Sequence, residues 1–262
     1  MNEAQLLAAL AGLPLGGLRF FATLGSTNDE ALAWATEGAR DLSVVVADEQ
    51  TAGRGRSGRR WHTPAGSALA FSIVLRPSPV ERTLPARITG LAALAMIQCC
   101  KQLGLPAQVK WPNDILLRGR KAAGILVETV WTGNILDATV MGIGINVAAT
   151  ALPPAEQLTF PATSLEGELG HALSRPEILR EVLTALLALR ARIGTAEFIQ
   201  AWEDALAFRG QQVTVGQDGE RQLHGTLLGL EPDGSLRLLS DDMPTIVHFG
   251  EIHLRPRDDR IE

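Results

Sequence analysis

A chain of 262 residues is long enough for a substantial core and points to two domains. With 46% hydrophobic and 20% charged residues it has the make-up of a soluble globular protein, and a net charge of −5 argues against a general nucleic-acid binder. The two cysteines, Cys99 and Cys100, are adjacent in the apolar run GLAALAMIQCC and read as buried small hydrophobes, since neighbours on a helix point about 100° apart and cannot bridge.

The start of the chain, MNEAQLLAALAGLPLGG, opens on an acid rather than a basic segment, and no run reaches the length of a membrane span, so a cytoplasmic protein is expected. Residues 2–11 carry Leu6, Leu7 and Leu10 on one side and end at Gly12, a short helix. Residues 18–23 read as a strand. In GSTNDEALAWA, Ser26 or Thr27 can cap a helix to about residue 37, with Asp29 and Glu30 in the first turn, where the dipole favours acids. The same Ser26-Thr27-Asn28 hydroxyls and amide could instead face a polar ligand. Residues 43–48 (SVVVAD) form a buried β-branched strand that delivers Gln50 to the nonapeptide GRGRSGRRW, residues 53–61.

Further on, residues 67–75 are a strand stopped by Arg76-Pro77-Ser78-Pro79, and residues 85–103 a largely buried helix closed by Gly104 and Pro106. A short strand at 108–111 leads into Pro112-Asn113-Asp114. An apolar stretch at 115–117 follows, then a turn at Arg118-Gly119-Arg120. Residues 121–131 and 135–147 form a hairpin about Thr132-Gly133-Asn134. After a loop at 148–163, Ser174 caps a helix with Pro176 in its first turn, running to about 193, and a second helix covers about 195–208. From Gly210 onward, four or five short strands separated by turns at 216–219, 232–234 and 241–244 predict a small barrel or sandwich. The expected division is 1–208, an α/β domain, and 209–262, a small β domain.

The nonapeptide has three glycines, four arginines and a closing tryptophan, a pattern no core segment shows. Glycine lets backbone approach a ligand or reach positive φ, arginine presents a fork to carboxylate or phosphate, and tryptophan offers a flat face. It predicts a loop, disordered when empty, that closes over an anionic, ring-bearing ligand. The bland readings are a solvated basic turn or a nucleic-acid arm, which would usually bring more basic and aromatic surface than this tyrosine-free, acidic chain has. Other motifs fail. Gly53 and Gly58 have phosphate-loop spacing, but Arg59-Arg60 replace Lys-Ser/Thr; Gly142-x-Gly144 lacks the third small residue of a dinucleotide fingerprint; the histidines have no metal spacing. Asn113-Asp114 could be turn chemistry and Arg120-Lys121 a polar strand entry, or together a carboxylate, an amide and a lysine at neighbouring strand ends.

These pieces carry a resemblance. Ser26-Thr27-Asn28, Asp48-Glu49-Gln50-Thr51-Ala52-Gly53-Arg54-Gly55-Arg56 through Trp61, Lys110-Trp111-Pro112-Asn113-Asp114, Arg120-Lys121-x-x-Gly124-Ile125-Leu126-x-Glu128, Gly142-Ile143-Gly144-Ile145-Asn146 and Gly250-Glu251-Ile252-x-Leu254-Arg255 together resemble a biotin–protein ligase, or biotin–[acetyl-CoA-carboxylase] ligase. The resemblance implies an α+β fold, a mixed, mostly antiparallel sheet with helices as in class II aminoacyl-tRNA synthetases, plus a C-terminal SH3-like β-barrel. It implies biotin and ATP as substrates, Mg2+ with the ATP rather than in a protein-only site, and a biotin carboxyl carrier protein as partner, with no nucleic acid or membrane, in a monomer or homodimer.

By matching position, the resemblance gives Ser26, Thr27, Asn28 and Gln50 to the ureido end of biotin. It gives Gly53, Arg54, Gly55 and Arg56 to its tail and carboxylate, and Lys121 to a place between carboxylate and α-phosphate. Arg56, Arg59, Trp61, Asn113, Lys121 and Asn146 fall to the nucleotide. Arg54, Arg56, Lys121 and Asp114 are the expected catalytic groups, Asp114 positioning the incoming amine or taking its proton. Some members carry an N-terminal winged helix-turn-helix and repress transcription; Ser26 arrives here after one short helix and one strand, so a ligase without repressor activity is expected. The alternatives are a lipoate–protein ligase of similar fold and a biotin-responsive DNA-binding repressor.

Overall fold

The computed structural model describes residues 1–158, 160–216, 222–248 and 253–256, the last as backbone alone. Most of the turn expected at 216–219 and the motif residues Gly250, Glu251 and Ile252 lie outside the described residues. The first sheet is built from β1 (Gly17–Leu24), β2 (Ser43–Gln50), β3 (Ala68–Leu75), β4 (Ala107–Lys110), β5 (Asp114–Leu117), β6 (Arg120–Thr132) and β7 (Ile135–Asn146). Its order is β1-β2-β3-β7-β6-β5-β4, with β1 and β2 parallel and every other pair antiparallel. The helices are α1 (Glu3–Ala9), α2 (Thr27–Thr36), α3 (Pro79–Thr83), α4 (Ala86–Gln102), α5 (Leu165–Leu169), α6 (Arg175–Arg190) and α7 (Ala196–Asp204). An α+β architecture is thus what the chain adopts, with residues 1–25 forming α1 and β1.

Side chains of a strand alternate between faces, and here the two faces have different fates. Leu69, Phe71, Ile73 and Leu75 of β3 and Met141, Ile143 and Ile145 of β7 join the helical layer of α4 and α6 in the main core. Val74 and Val140 turn the other way, under Ala31 and Ala35 of α2. Farther along, that second face carries Ala70, Ser72, Gly142 and Gly144; only the first turn of α2 reaches it, Asn28 lying over Ser72 and Gly142, and a cleft opens beyond.

The helices α3 and α5 were not expected. Ser78, which with its prolines reads in the sequence as a strand stop, forms a capping box with Glu81, and Pro79 sits where a helix tolerates it. Glu81 is buried and meets Arg190 of α6, whose other Nη groups reach Asp41 and the carbonyl of Arg76. Burial alone would raise the proton affinity of Glu81, but its bonds to Arg190 and Ser78 hold it below the usual carboxylate range. The helix expected to reach 208 ends at Asp204, because the next residues pair with β4: Val109 N–H donates to Ala205 O and Ala207 N–H to Val109 O.

The C-terminal segment holds β8 (Gln212–Gly216), β9 (Leu223–Leu230), β10 (Leu236–Ser240), β11 (Met243–Val247) and β12 (His253–Pro256) in one antiparallel sheet of order β11-β10-β9-β8-β12. It is tied to the first sheet's layer through the turn between β9 and β10. Arg87 of α4, 5% exposed, donates to Pro232 O, Ile193 O and Thr195 O. Trp111 Nε1 donates to Gly234 O.

Candidate functional site

Strand register builds the floor of the cleft. Ala70 of β3 lies opposite Gly144 of β7, Gly144 opposite Gly124 of β6, Gly124 opposite Asp114 of β5, and Asp114 opposite Lys110 of β4. One row across five strands is therefore small in the middle and charged at one end. The next row runs Ser72, Gly142 and Leu126. The cleft above these rows has a volume of about 780 Å³.

At one end stand Ser26, Thr27 and Asn28, all buried. Ser26 occupies the N-cap of α2 without a side-chain capping bond, so a simple cap does not account for these residues. Thr27 instead donates its N–H and hydroxyl to Gln50 Oε1 at 2.8 and 3.1 Å, while Gln50 Nε2 donates to Thr63 Oγ1. Asn28 Oδ1 accepts from Ser72 Oγ at 2.6 Å, and its Nδ2 donates to Leu126 O and to Glu128 Oε2. A Cβ on Gly142 would fall on Asn28 Oδ1, which is why that position is glycine. The result is a set of neutral donors and acceptors with fixed orientation.

Over the floor lies the glycine-arginine segment, folded as a small hairpin. Trp61 N–H donates to Gly53 O, Gly55 N–H donates to Arg59 O, and Arg54 bridges Arg60 in antiparallel fashion. Its tip turns through Ser57 at φ 54° and Gly58 at φ 71°. Gly53 serves close approach instead: a Cβ there would strike the carbonyl of Trp61. The Trp61 ring is laid flat on the glycine row, within the space a Cβ on Gly144 would need and 2.9 Å from that of a Cβ on Gly124. Its buried Nε1 makes no hydrogen bond.

The arginines divide their work. Arg54 Nη1 and Nη2 donate to the two oxygens of Glu128 at 2.9 and 2.7 Å, and Nη2 also meets Asp29 at 2.7 Å. Arg56 Nη1 donates to Asn113 Oδ1 at 3.1 Å, and Asn113 Nδ2 donates to Ile125 O. Arg59 lines the cleft near Lys110. Asn146 closes the far side, its Nδ2 reaching Thr163 O and Lys121 O.

At the charged end, Asp114 shares its carboxylate between two lysines: Oδ1 is 2.6 Å from Lys121 Nζ and Oδ2 is 3.4 Å from Lys110 Nζ. Burial pushes the proton affinity of Asp114 up, but Lys121 and Lys110 outweigh it and hold the group below the usual carboxylate range. Burial, Lys121 and Arg59 push Lys110 below the usual lysine range, against the pull of Asp114. Lys110 also lies 4.4 Å from the centre of the Phe160 ring. Lys121 is the more accessible of the two and faces Trp61 at 5.4 Å.

Every expected site residue thus lines this cleft: Ser26, Thr27, Asn28, Gln50, Gly53, Arg54, Gly55, Arg56, Arg59, Trp61, Asn113, Asp114, Lys121 and Asn146. Sequence reasoning gave no role to Lys110, Ser72 or Glu128. Lys110 and Glu128 lay within the quoted motifs, and a charge inside an apolar strand was the available signal; nothing local marked Ser72. Among the described residues, no three His, Cys, Asp or Glu side chains converge as a metal site.

Such a cleft accepts an elongated ligand with a neutral hydrogen-bonding head, a body that packs beside the Trp61 ring, and a negative centre. Residues 20–146 match the model of the biotin/lipoate A/B protein ligase family. The chain is 37% identical to a biotin–[acetyl-CoA-carboxylase] ligase of Paracoccus denitrificans, over 87% of this chain and 96% of the relative. It is 32% identical to the bifunctional ligase/repressor BirA of Bacillus subtilis, over 97% of this chain and 79% of the relative. The biotin protein ligase of Aquifex aeolicus, solved with biotin and ATP, superposes with a TM-score of 0.78 at 28% identity, covering 92% of this chain and 99% of that one. The chain belongs to the biotin/lipoate ligase family.

Proposed function

We infer that this protein is an ATP-dependent biotin–protein ligase, a biotin–[acetyl-CoA-carboxylase] ligase that forms biotinyl-5′-AMP and passes the biotinyl group to a lysine of a biotin carboxyl carrier protein. The observation that carries the reading is the cross-strand row from Ala70 to Lys110, which joins a neutral amide-binding end to a lysine–carboxylate pair beneath an arginine hairpin. Relatives that bear this activity in their names, at 37% and 34% identity over 87% and 97% of the chain, support it.

In the first step a carboxylate oxygen of biotin bonds to the α-phosphorus of ATP, the bond to the bridging oxygen breaks, and pyrophosphate leaves. Ser26, Thr27, Asn28 and Gln50 hold the ureido end; Gly53, Arg54, Gly55 and Arg56 cover the tail. Lys121 faces both the carboxylate and the phosphate, two anions that would otherwise repel, and a donor so placed lowers a barrier by about 3–4 kcal/mol. Trp61 borders the adenine with Asn146, while Arg59 and Asn113 belong to the phosphate side. Asp114, the carboxylate at the charged end of the cleft, is already paired to two lysines, which fits a Mg2+ carried in by the nucleotide. In the second step the carrier's ε-amine attacks the acyl carbon and AMP leaves. Asp114, held ionised by its lysines, suits positioning that amine better than taking its proton. The closed hairpin keeps water from the anhydride.

The same reading places the protein in the cytoplasm as a monomer or homodimer, with residues 1–208 as the catalytic domain and 209–262 as an SH3-like barrel. Labelled biotin and labelled lipoate, each offered with MgATP and an apo carrier domain, test it: transfer of biotin is expected, and transfer of lipoate alone overturns it. A gel shift with a biotin operator, in the presence of biotin and ATP, is expected to show no complex.

A further inference from the structure

We propose that Glu128 is a positioning residue for this reaction, holding the arginine hairpin over the cleft through Arg54 and fixing the amide of Asn28 in the ligand's path. The proposal rests on the ligase reading. Gly124, Leu126 and Glu128 alternate along β6 and share one face, so the carboxylate follows Leu126 on it, two rows beyond Gly124 and opposite Val140. Its two oxygens take three donors. Arg54 Nη1 reaches Oε1 at 2.9 Å, while Arg54 Nη2 at 2.7 Å and Asn28 Nδ2 at 2.8 Å both reach Oε2.

Each donor has a separate consequence. The arginine belongs to the hairpin, and fork-to-fork pairing with a carboxylate is among the strong, directional hydrogen bonds. Asp29 adds a second anion at 2.7 Å, so the fork of Arg54 is occupied by protein carboxylates before a ligand arrives. Arg54 then serves the ligand through the backbone it anchors. The asparagine belongs to α2: with Ser72 donating to Oδ1 and Glu128 accepting from Nδ2, only one orientation of the amide satisfies both. A single carboxylate therefore couples the closed hairpin to the shape of the head-binding end.

The hairpin offers its own readout, because residues 54–60 hold four trypsin sites. Limited trypsin digestion of the ligand-free protein is expected to cut Glu128→Gln within this segment about tenfold faster than wild type, the factor that about 1.4 kcal/mol of lost closure gives. The melting midpoint is expected to stay within a few degrees. Release of biotinyl-adenylate, followed without carrier, is expected to quicken in the same proportion. Arg54→Lys, which keeps the charge and loses the fork, is expected to give the same acceleration, and the double variant no more than either single one. Cleavage of Glu128→Gln at the wild-type rate, or an additive double variant, overturns the proposal. If Glu128→Gln does not fold, Arg54→Lys decides alone, wild-type cleavage again overturning it. A wild-type protein that makes no biotinyl-adenylate sinks the ligase reading and leaves the digestion comparison standing.

Discussion

Asp114 and its two lysines show how much one buried carboxylate can organise. It is 8% exposed and lies between Lys121, the more accessible lysine, and Lys110, the more buried one. Removing one member of a buried pair leaves the others uncompensated, a loss of about 3–5 kcal/mol. Asp114→Asn is therefore expected to lower the unfolding free energy by about 3 kcal/mol in urea titration, an equal stability being the contrary result. The pH dependence has a definite sign. A carboxylate whose folded proton affinity is depressed contributes stability that is complete above its unfolded value and lost as pH falls through the folded one. Acid unfolding of the wild type should include that loss, beginning near the ordinary carboxylate range and extending below it, and Asp114→Asn should lack it. For chemistry, Lys121→Ala is expected to slow pyrophosphate release about a hundredfold or more, the scale of losing one donor to developing charge. Near-normal release would contradict the role given to this lysine.

Among the elements, the hairpin and β7 matter most. Arg56 links the hairpin tip to Asn113 of the strand turn below. Arg56→Ala is expected to loosen closure and release adenylate early, seen as biotinylation of bystander lysines in a mixed protein solution; retention equal to wild type would contradict a lid. Gly144 is the second test. A methyl group there would occupy the place of the Trp61 ring, so Gly144→Ala should displace that ring, shift indole fluorescence and raise the KM for ATP about tenfold, the effect of about 1.4 kcal/mol. An unchanged spectrum and KM would show that the ring lies elsewhere. The capping box at Ser78 and Glu81 also belongs at this scale: its spacing is visible in the sequence, yet flanking prolines in a strand-to-helix crossing disguised it.

For the molecule as a whole, the turn between β9 and β10 joins the second sheet to the first. Arg87 reaches it from α4 and also holds the α6–α7 connection, while Trp111, beside the turn that carries Asn113 and Asp114, donates to Gly234. Burial lowers the proton affinity of Arg87, with Asp233 opposing, so its bonds to carbonyls are what satisfy it there. Arg87→Met is expected to cost about 3 kcal/mol and to raise hydrogen exchange in β9 and β10 more than in β3 and β7, the mark of a loosened junction. Uniform exchange would place the role of Arg87 within its own helix. A structural path thus runs from the second sheet to the turn that carries Asn113 and Asp114 through one indole.

The amino-acid sequence by itself determined most strands and the long helices, through period-two and period-3.6 patterning bounded by glycine and proline, and the resemblance carried by its glycine-arginine loop, KWPND and the other quoted motifs marked many residues of the cleft, though not Phe160 and its neighbours in the loop at 148–163. Only the tertiary structure decided which of those residues face one another. The row from Ala70 to Lys110 depends on the register of five strands, and a shift of one residue would turn every one of its side chains to the opposite face. Arg54 and Glu128 are 74 residues apart, and Arg87 and Pro232 are 145 apart. No local pattern encodes such pairs: charge and hydrogen-bonding capacity belong to a residue, but the partner that satisfies them is chosen when the sheet closes and burial makes an unpaired group costly.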